Sequence, residues 1–413
     1  MTVLTPTLAS DLGRLPAGWS WTQLGKIGES FIGLTYSPKN VSRSGTLVLR
    51  SSNVEDGALK FDDNVFVKMS VPDRALVRKD DILICARNGS RALIGKCAKI
   101  DERAARMAFG AFMAVFRTAD HGIVFYNLQS DAMRRQIEAH LGATINQITN
   151  ASLNGFWMPY PQAHDERTAI ADALSNVDAL LTGLNQLIAR RRDLKQAAMQ
   201  QLLSGRTRLP GFQDAWRGAT IGDVADVKTG PFGSSLHESD YVEAGTPIIT
   251  VEHLGERSIT LQNLPLVSDE DYRRLRVYSL EAGDVVFSRV GSVDRNALVT
   301  DAESGWLFSG RLLRVRIKRG RADPAFLSHQ FHSEPFKQRV REVAVGQTMP
   351  SLNTQILRRL PVALPSLAEQ RAIAQVLSDM DAELAALETR RDKTRQLKQG
   401  MMQGLLTGRI RLT

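Results

Sequence analysis

The sequence predicts an α+β chain: two mixed α/β domains with pseudo-two-fold symmetry, separated by two long antiparallel coiled-coil helices. Three observations predict it. The stretch 166–209 returns without a gap as 369–412, an offset of 203 residues (369 − 166), and about half of the paired positions are identical. Within each copy apolar residues recur in steps of three and four, the pattern of a helix with one narrow apolar seam. Ahead of each copy lie short β-branched and apolar runs bounded by turn residues, which read as strands. A period near 200 residues is too long for a solenoid, so the repeated unit is a whole module closing on a helix.

Residues 1–14 read as a loose tail to a first domain over 1–163. That domain opens at Leu15-Pro-Ala-Gly-Trp19 and Trp21-Thr-Gln-Leu-Gly-Lys-Ile27. Strands are expected at 46–50, 82–86 and 111–117. Leu128, Met133, Ile137 and Leu141 have helical spacing, with Ser130 and Asp131 placed to cap the start. Pro159 and Pro161 are expected to end regular structure ahead of a spacer helix over 164–208, whose first turn carries Asp165 and Glu166 against the positive end of the dipole.

The seam of this helix runs through Ile170, Leu174, Val177, Leu181, Leu184 and Ile188; its second copy gives Ile373, Leu377, Met380, Leu384 and Leu387. Arg191 and Arg391 interrupt it towards the end. One such helix is equally well explained by packing on its own domain. Two copies offer each other a matching seam, so these residues are expected to pair the helices, each about 60 Å long for roughly 40 residues. Gly205 and Gly408 sit where C-caps belong, followed by basic residues that suit the negative end of the dipole.

A second domain is expected over 209–365, and the second spacer helix over 366–413. Leu209-Pro-Gly-Phe212 and Trp216 echo Leu15-Pro and Trp19. Strands are expected at 247–252, 284–288 and 312–318, and a helix at 324–342 that Pro335 breaks or kinks. Residues 81–90 line up with 284–292, one residue shorter, and Gly142-Ala-Thr144 matches Gly346-Gln-Thr348. Elsewhere the two domains diverge until no match is left.

Composition narrows the function class. Hydrophobic content of 43% and charged content of 23% over 413 residues suit a globular chain of two to four domains. No apolar run approaches the roughly 18–20 residues of a membrane span, and the first ten residues lack the basic start and apolar core of a signal peptide. Two cysteines, Cys85 and Cys97, argue against a disulfide framework and fit a reducing cytoplasm, the expected location. A net charge of +9 points to a polyanionic partner.

Enzyme motifs are missing. Gly89-Ser-Arg-Ala-Leu-Ile-Gly95-Lys96-Cys97 resembles a phosphate-binding loop, but it has one residue too many and Cys97 replaces the magnesium-binding hydroxyl. There is no Asn/Asp-Pro-Pro-aromatic run and no dinucleotide-type glycine loop, so adenine methylation has neither catalytic nor cofactor-binding residues. Asp226-Val-Lys228 is a fragment of a nuclease site without the rest, and His329-Gln-Phe-His332 has metal-like spacing but no third ligand. The chain reads as a binder without a metal or cofactor of its own.

Residues suited to DNA are plentiful in turns. Arg87, Asn88, Ser90 and Arg91 leave one strand, and Arg289, Ser292 and Arg295 leave another at what the alignment makes a matching place. Arginine is the usual bidentate partner of guanine and asparagine of adenine, whereas Ser, Thr and Lys serve phosphates. Lys39, Arg43, Lys228, Ser234, Ser235 and His253 lie in loops of similar composition. Thr144, Asn146 and Gln147 follow Gly142, and Gln347 and Thr348 follow Gly346. Any one of these is explained by an ordinary solvated turn; as a duplicated set on a basic chain they point to DNA contact. The tract Arg311-Leu-Leu-Arg-Val-Arg-Ile-Lys-Arg319 alternates basic with apolar, giving one strand a basic face turned to DNA or to solvent.

Several of these stretches together resemble the DNA-specificity subunit of type I restriction–modification systems. They are Pro161 through Glu166-Arg-Thr-Ala-Ile170, Pro365-Ser-Leu-Ala-Glu-Gln-Arg-Ala-Ile373, Leu202-Leu-Ser-Gly-Arg206, Leu405-Leu-Thr-Gly-Arg409, Leu15-Pro-Ala-Gly-Trp19 and Gly230-Pro-Phe-Gly-Ser234. One departure is Glu166-Arg167, where the family usually has Glu-Gln as at Glu369-Gln370. The resemblance implies two target-recognition domains, each reading half of a split, asymmetric duplex sequence in the major groove, held apart by the helical spacers. It also implies a non-catalytic subunit that recruits two methyltransferase subunits and, in a full complex, two restriction subunits. S-adenosylmethionine, ATP and Mg would then belong to those partners. The alternatives are a specificity subunit of another restriction–modification class, and a coiled-coil adaptor scaffold that binds no DNA.

Overall fold

The strand Ile82–Cys85 is buried along its whole length, because both faces of its sheet are covered. Ile82 and Ile84 point into a core shared with helices, whereas Leu83 and Cys85 point into a core shared with a second sheet. Alternating side chains thus serve two cores, so a continuous apolar run is needed where a half-exposed strand would alternate with polar residues. The structure, a computed structural model, describes residues 14–141, 146–231, 236–255, 258–346 and 350–412. It divides into two units, one of Met1–Asn185 with Arg390–Thr413 and one of Gln186–Thr389.

In the first unit the main sheet has the order Glu29–Ile32, Met113–Arg117, Ile82–Cys85, Cys97–Lys99, antiparallel throughout. A second sheet has the order Ala108–Phe109, Thr46–Leu49, Val65–Val67, Val41–Ser42. Trp19–Gln23 pairs with Trp157–Pro161 in a two-stranded sheet. Pro159 and Pro161 therefore lie inside a strand, correcting the expectation that they end regular structure; with two strands only, a proline can turn its missing N–H outward. The helix expected from Leu128 is two helices, His121–Leu128 and Asp131–Leu141, and the break is capped by Ser130, whose Oγ accepts from Met133 N at 3.2 Å.

The second unit repeats this plan. Its main sheet runs Ala225–Thr229, Leu312–Ile317, Val285–Ser288, Asn296–Leu298, and its second sheet Leu307–Phe308, Thr246–Ile249, Leu266–Val267, Tyr241–Val242. Arg217–Thr220 pairs with Pro361–Leu364. Pro324–His332 and Glu334–Val343 are separate helices, with Pro335 in the first turn of the latter, where no N–H is required. Domains whose sequences no longer align thus share one topology, since a sheet covered on both faces accepts many apolar residues at each position.

The repeated stretch forms the helices His164–Leu202 and Leu367–Leu405, each of 39 residues. In the first unit Ile170 and Leu174 share a core with Leu405 and Leu406. In the second, Met199, Leu202 and Leu203 share a core with Ile373 and Leu377. Within each unit the early turns of one helix therefore meet the late turns of the other, an antiparallel pairing. Leu174, Leu184, Ile188, Leu377 and Leu384 are buried, and Val177, Leu181, Met380 and Leu387 half-buried.

Candidate nucleic-acid interface

Charged residues that no apolar pattern reveals tie each unit together. In the second unit Arg208 makes a bidentate pair with the buried Glu369 carboxylate, at 2.6 and 2.7 Å, and also donates to Asp214 O. In the first unit Arg411 pairs with the buried Glu166, which also accepts from Trp19 Nε1 at 3.1 Å, and Arg411 donates to Ala17 O. The pairs are related by the 203-residue offset with the roles exchanged. Lys195 with Asp381 and Lys398 with Asp178 are related in the same way. Arg208 and Arg411 follow the glycine caps Gly205 and Gly408, both with φ of 70°, so the turned-back chain brings each guanidinium to the start of the other helix. The basic residues after the caps thus hold a carboxylate, a more specific role than the expected one towards the dipole.

The turns that leave the central strands carry the candidate DNA contacts. In the first unit Arg87 is exposed and its guanidinium lies over the Phe112 ring, 5.2 Å from the centroid. Ala86 N and Arg87 N both donate to Phe112 O, at 3.0 and 2.9 Å. Asn88 donates to Ser51 Oγ at 3.1 Å and accepts from Ser90 N at 2.9 Å. The segment at Gln147 and Ile148 runs beside this turn, since Gln147 bridges to Arg87 and Ile148 N donates to Ala86 O. Arg87, Asn88, Ser90 and Gln147 therefore belong to one cluster; Ser90, Arg91, Asn146 and Gln147 are exposed. Lys39 and Arg43 are exposed on the separate hairpin of Val41–Ser42. Thr144 lies outside the described residues.

In the second unit Ser292 and Arg295 are exposed, and the segment near Pro350 runs beside them: Gly291 N donates to Pro350 O and Val290 bridges to Ser351. Ser234, Ser235, Gln347 and Thr348 lie outside the described residues. Arg289 is half-buried and donates to Gly310 O. Its placement corrects the expected match with Arg87. Arg289 N donates to Arg311 O and Arg289 O accepts from Leu352 N, as Ala86 does with Phe112 and Ile148. By these bonds Arg289 corresponds to Ala86 and Arg87 to Val290, so the arginines leave their strands one position out of step.

Two further expectations are corrected. His253 is 3% exposed, with Nδ1 bonded to Thr250 and Nε2 to Gln262 O, so it closes a loop rather than facing a ligand. Asn53 does the same work in the first unit, buried and bonded to Arg50 N and Lys60 O. The basic face of the tract 311–319 also turns inward. Arg316 is held by the buried Asp284, at 2.8 and 2.7 Å, while Arg314 is buried and donates to Ser279 O. Arg117 and Asp81 form the corresponding pair in the first unit. Lys228 lies opposite Arg314, with Nζ on Val277 O at 3.0 Å and over the Tyr278 ring. Burial and the nearby Arg314 and Arg316 guanidiniums hold its pKa below the ordinary lysine value.

Among the described residues no cluster of metal-ligating side chains occurs. His329 bonds Ser378 and His332 bonds two backbone carbonyls, which accounts for both. Cys85 and Cys97 are buried and unpaired, and burial pushes the Cys97 thiol up to about 12, far from a reactive thiolate. No described helix is long and apolar enough to cross a membrane.

Residues 213–398 match the type I restriction modification DNA specificity domain. The chain is 24% identical to the StySPI specificity subunit of Salmonella potsdam, over 91% of this chain and 85% of that one. It is 21% identical to the MjaVIII specificity subunit of Methanocaldococcus jannaschii, over 84% and 83%. The fold is similar to that of the S subunit of a type I restriction–modification system from M. genitalium, with a TM-score of 0.63 at 16% identity over 96% of this chain and 98% of that one.

Proposed function

We propose, from the premise that this chain belongs to the specificity subunits of type I restriction–modification systems, that it reads a split, asymmetric duplex sequence and supplies no chemistry of its own. The observation that carries this reading is the internal repeat with its inverted likeness. The helices and their Glu–Arg clasps are kept alike, Glu166 with Arg411 and Glu369 with Arg208. The polar turns differ in residue and in register, Arg87 over Phe112 against Arg289 beside Arg311. A chain that needs one frame twice but must read two different half-sites has this division. Arg87, Asn88, Gln147 and Arg91 are the base-reading and phosphate-holding candidates of the first domain, and Ser292, Arg295 and Arg289 those of the second. The absence of nucleotide-binding and methyl-transfer motifs in the sequence supports a recognition role within a larger enzyme.

On this reading the two helices separate the domains and present the docking surface for methyltransferase subunits, joined in a full complex by restriction subunits. The deciding experiment is to express the chain with its methyltransferase partner and map adenine methylation across the host genome. One recurrent motif, made of two unlike half-sites around a fixed gap, is expected. Methylation that ignores this chain's presence would overturn the reading.

A further inference from the structure

Phe112 is 59% exposed, yet the sheet fixes its position, since its carbonyl accepts from both Ala86 N and Arg87 N. Its ring carries the Arg87 guanidinium, itself exposed. A guanidinium stacked on a ring is held in one plane with its N–H edge still free to donate. Phe112 lies in the turn just ahead of the strand Met113–Arg117, so its exposed ring is an apolar surface at the end of the sheet, beside Arg87. An oriented donor edge beside a small apolar face has a specific counterpart in the major groove. The edge matches guanine O6 and N7, and the face matches the C5-methyl of thymine, the one apolar group a base pair presents there.

We propose that Phe112 and Arg87 read a thymine beside a guanine in the half-site of the first domain, Phe112 packing on the methyl and Arg87 donating to the guanine. This rests on the duplex-reading role proposed above. The second domain supplies a contrast: the matching carbonyl belongs to Arg311, so among the described residues an exposed cation stands where the first domain has the Phe112 ring. The methyl effect is therefore confined to one half of the target.

The test uses the full chain, in the complex in which it purifies, and duplexes carrying its selected target with each thymine replaced in turn by deoxyuridine. The replacement keeps the pairing and removes only the methyl. One thymine next to a guanine, in one half-site, is expected to weaken binding about fourfold or more when replaced, the worth of one buried methyl group. Phe112→Ala should bind thymine and deoxyuridine duplexes equally, while Phe112→Leu should keep the preference; unchanged thermal unfolding of both variants excludes misfolding as the cause. Indifference of the parent chain to every replacement, with its sequence preference otherwise intact, overturns the inference, as does a methyl effect that survives in Phe112→Ala. Duplex binding with no sequence preference would overturn the reading role itself, and this inference with it.

Discussion

Arg87 shows what one residue contributes and how it is checked. It stands in a turn fixed by backbone bonds to Phe112 and Ile148, with its charge outside the fold. Arg87→Ala should leave stability unchanged and relax discrimination at one position of one half-site by about 1–3 kcal/mol, read from competition among single-base variants of the target. Equal weakening on all sequences would make it a phosphate contact instead. Lys195 is the opposite case, 1% exposed and neutralised by Asp381. Asp381→Ala should cost more than Asp178→Ala, because the lysine it strands is more deeply buried than Lys398. About 2–3 kcal/mol is expected for Asp381→Ala, below the roughly 3–5 of a fully buried pair since water reaches Asp381; the shift in urea midpoint measures it. The polar turn at Arg87 was legible from residue type. Its register against Arg289 was not, because a slip of one residue changes no composition and is decided by which carbonyl each amide meets.

At the scale of an element, the start of the central helix is held by Asp120, which accepts from Tyr160 Oη at 2.6 Å and Arg167 Nε at 2.8 Å. Burial alone would raise this carboxyl's pKa, but the two donors and the Arg167 charge outweigh it and hold it below the ordinary carboxylate value. A pKa depressed on folding stabilises the fold at all pH above the unfolded value, about 3.9, and the stabilisation is lost as pH falls through the folded value. Asp120→Asn should therefore lower Tm at pH 7, with the difference from the parent chain closing below about pH 4. The seam of the long helices was legible as a period of three and four. The ion pairs set into it were not, since a lysine and an aspartate on one helix show no partner until the second helix brings Asp381 to Lys195 and Lys398 to Asp178.

At the scale of the whole molecule, the proposed spacer predicts a ruler. Removing one heptad from both long helices shortens them by about 10 Å, roughly three base pairs of duplex, so the preferred gap between half-sites should shrink accordingly in a library of randomised spacers. An unchanged gap would sink the ruler while leaving base recognition untouched. Binding to the target should also fall steeply with salt, as counterions released from phosphates predict, which a coiled-coil adaptor without DNA would not show.

The sequence by itself determined the architecture: an exact chain offset, a helical seam said twice, and short strands ahead of each copy can be met by few arrangements, since apolar periodicity is a local property of the chain. It also placed stretches that resemble the specificity-subunit family at the entries and exits of both long helices. Only the tertiary structure decided the strand order that the two domains have in common, that Arg208 and Arg411 clasp the glutamates opening the partner helices, that His253 is buried, and that the basic strand face of Arg314 and Arg316 turns inward. Each of these rests on contacts between residues far apart in the chain, where charge and polarity acquire a role from the partner they meet.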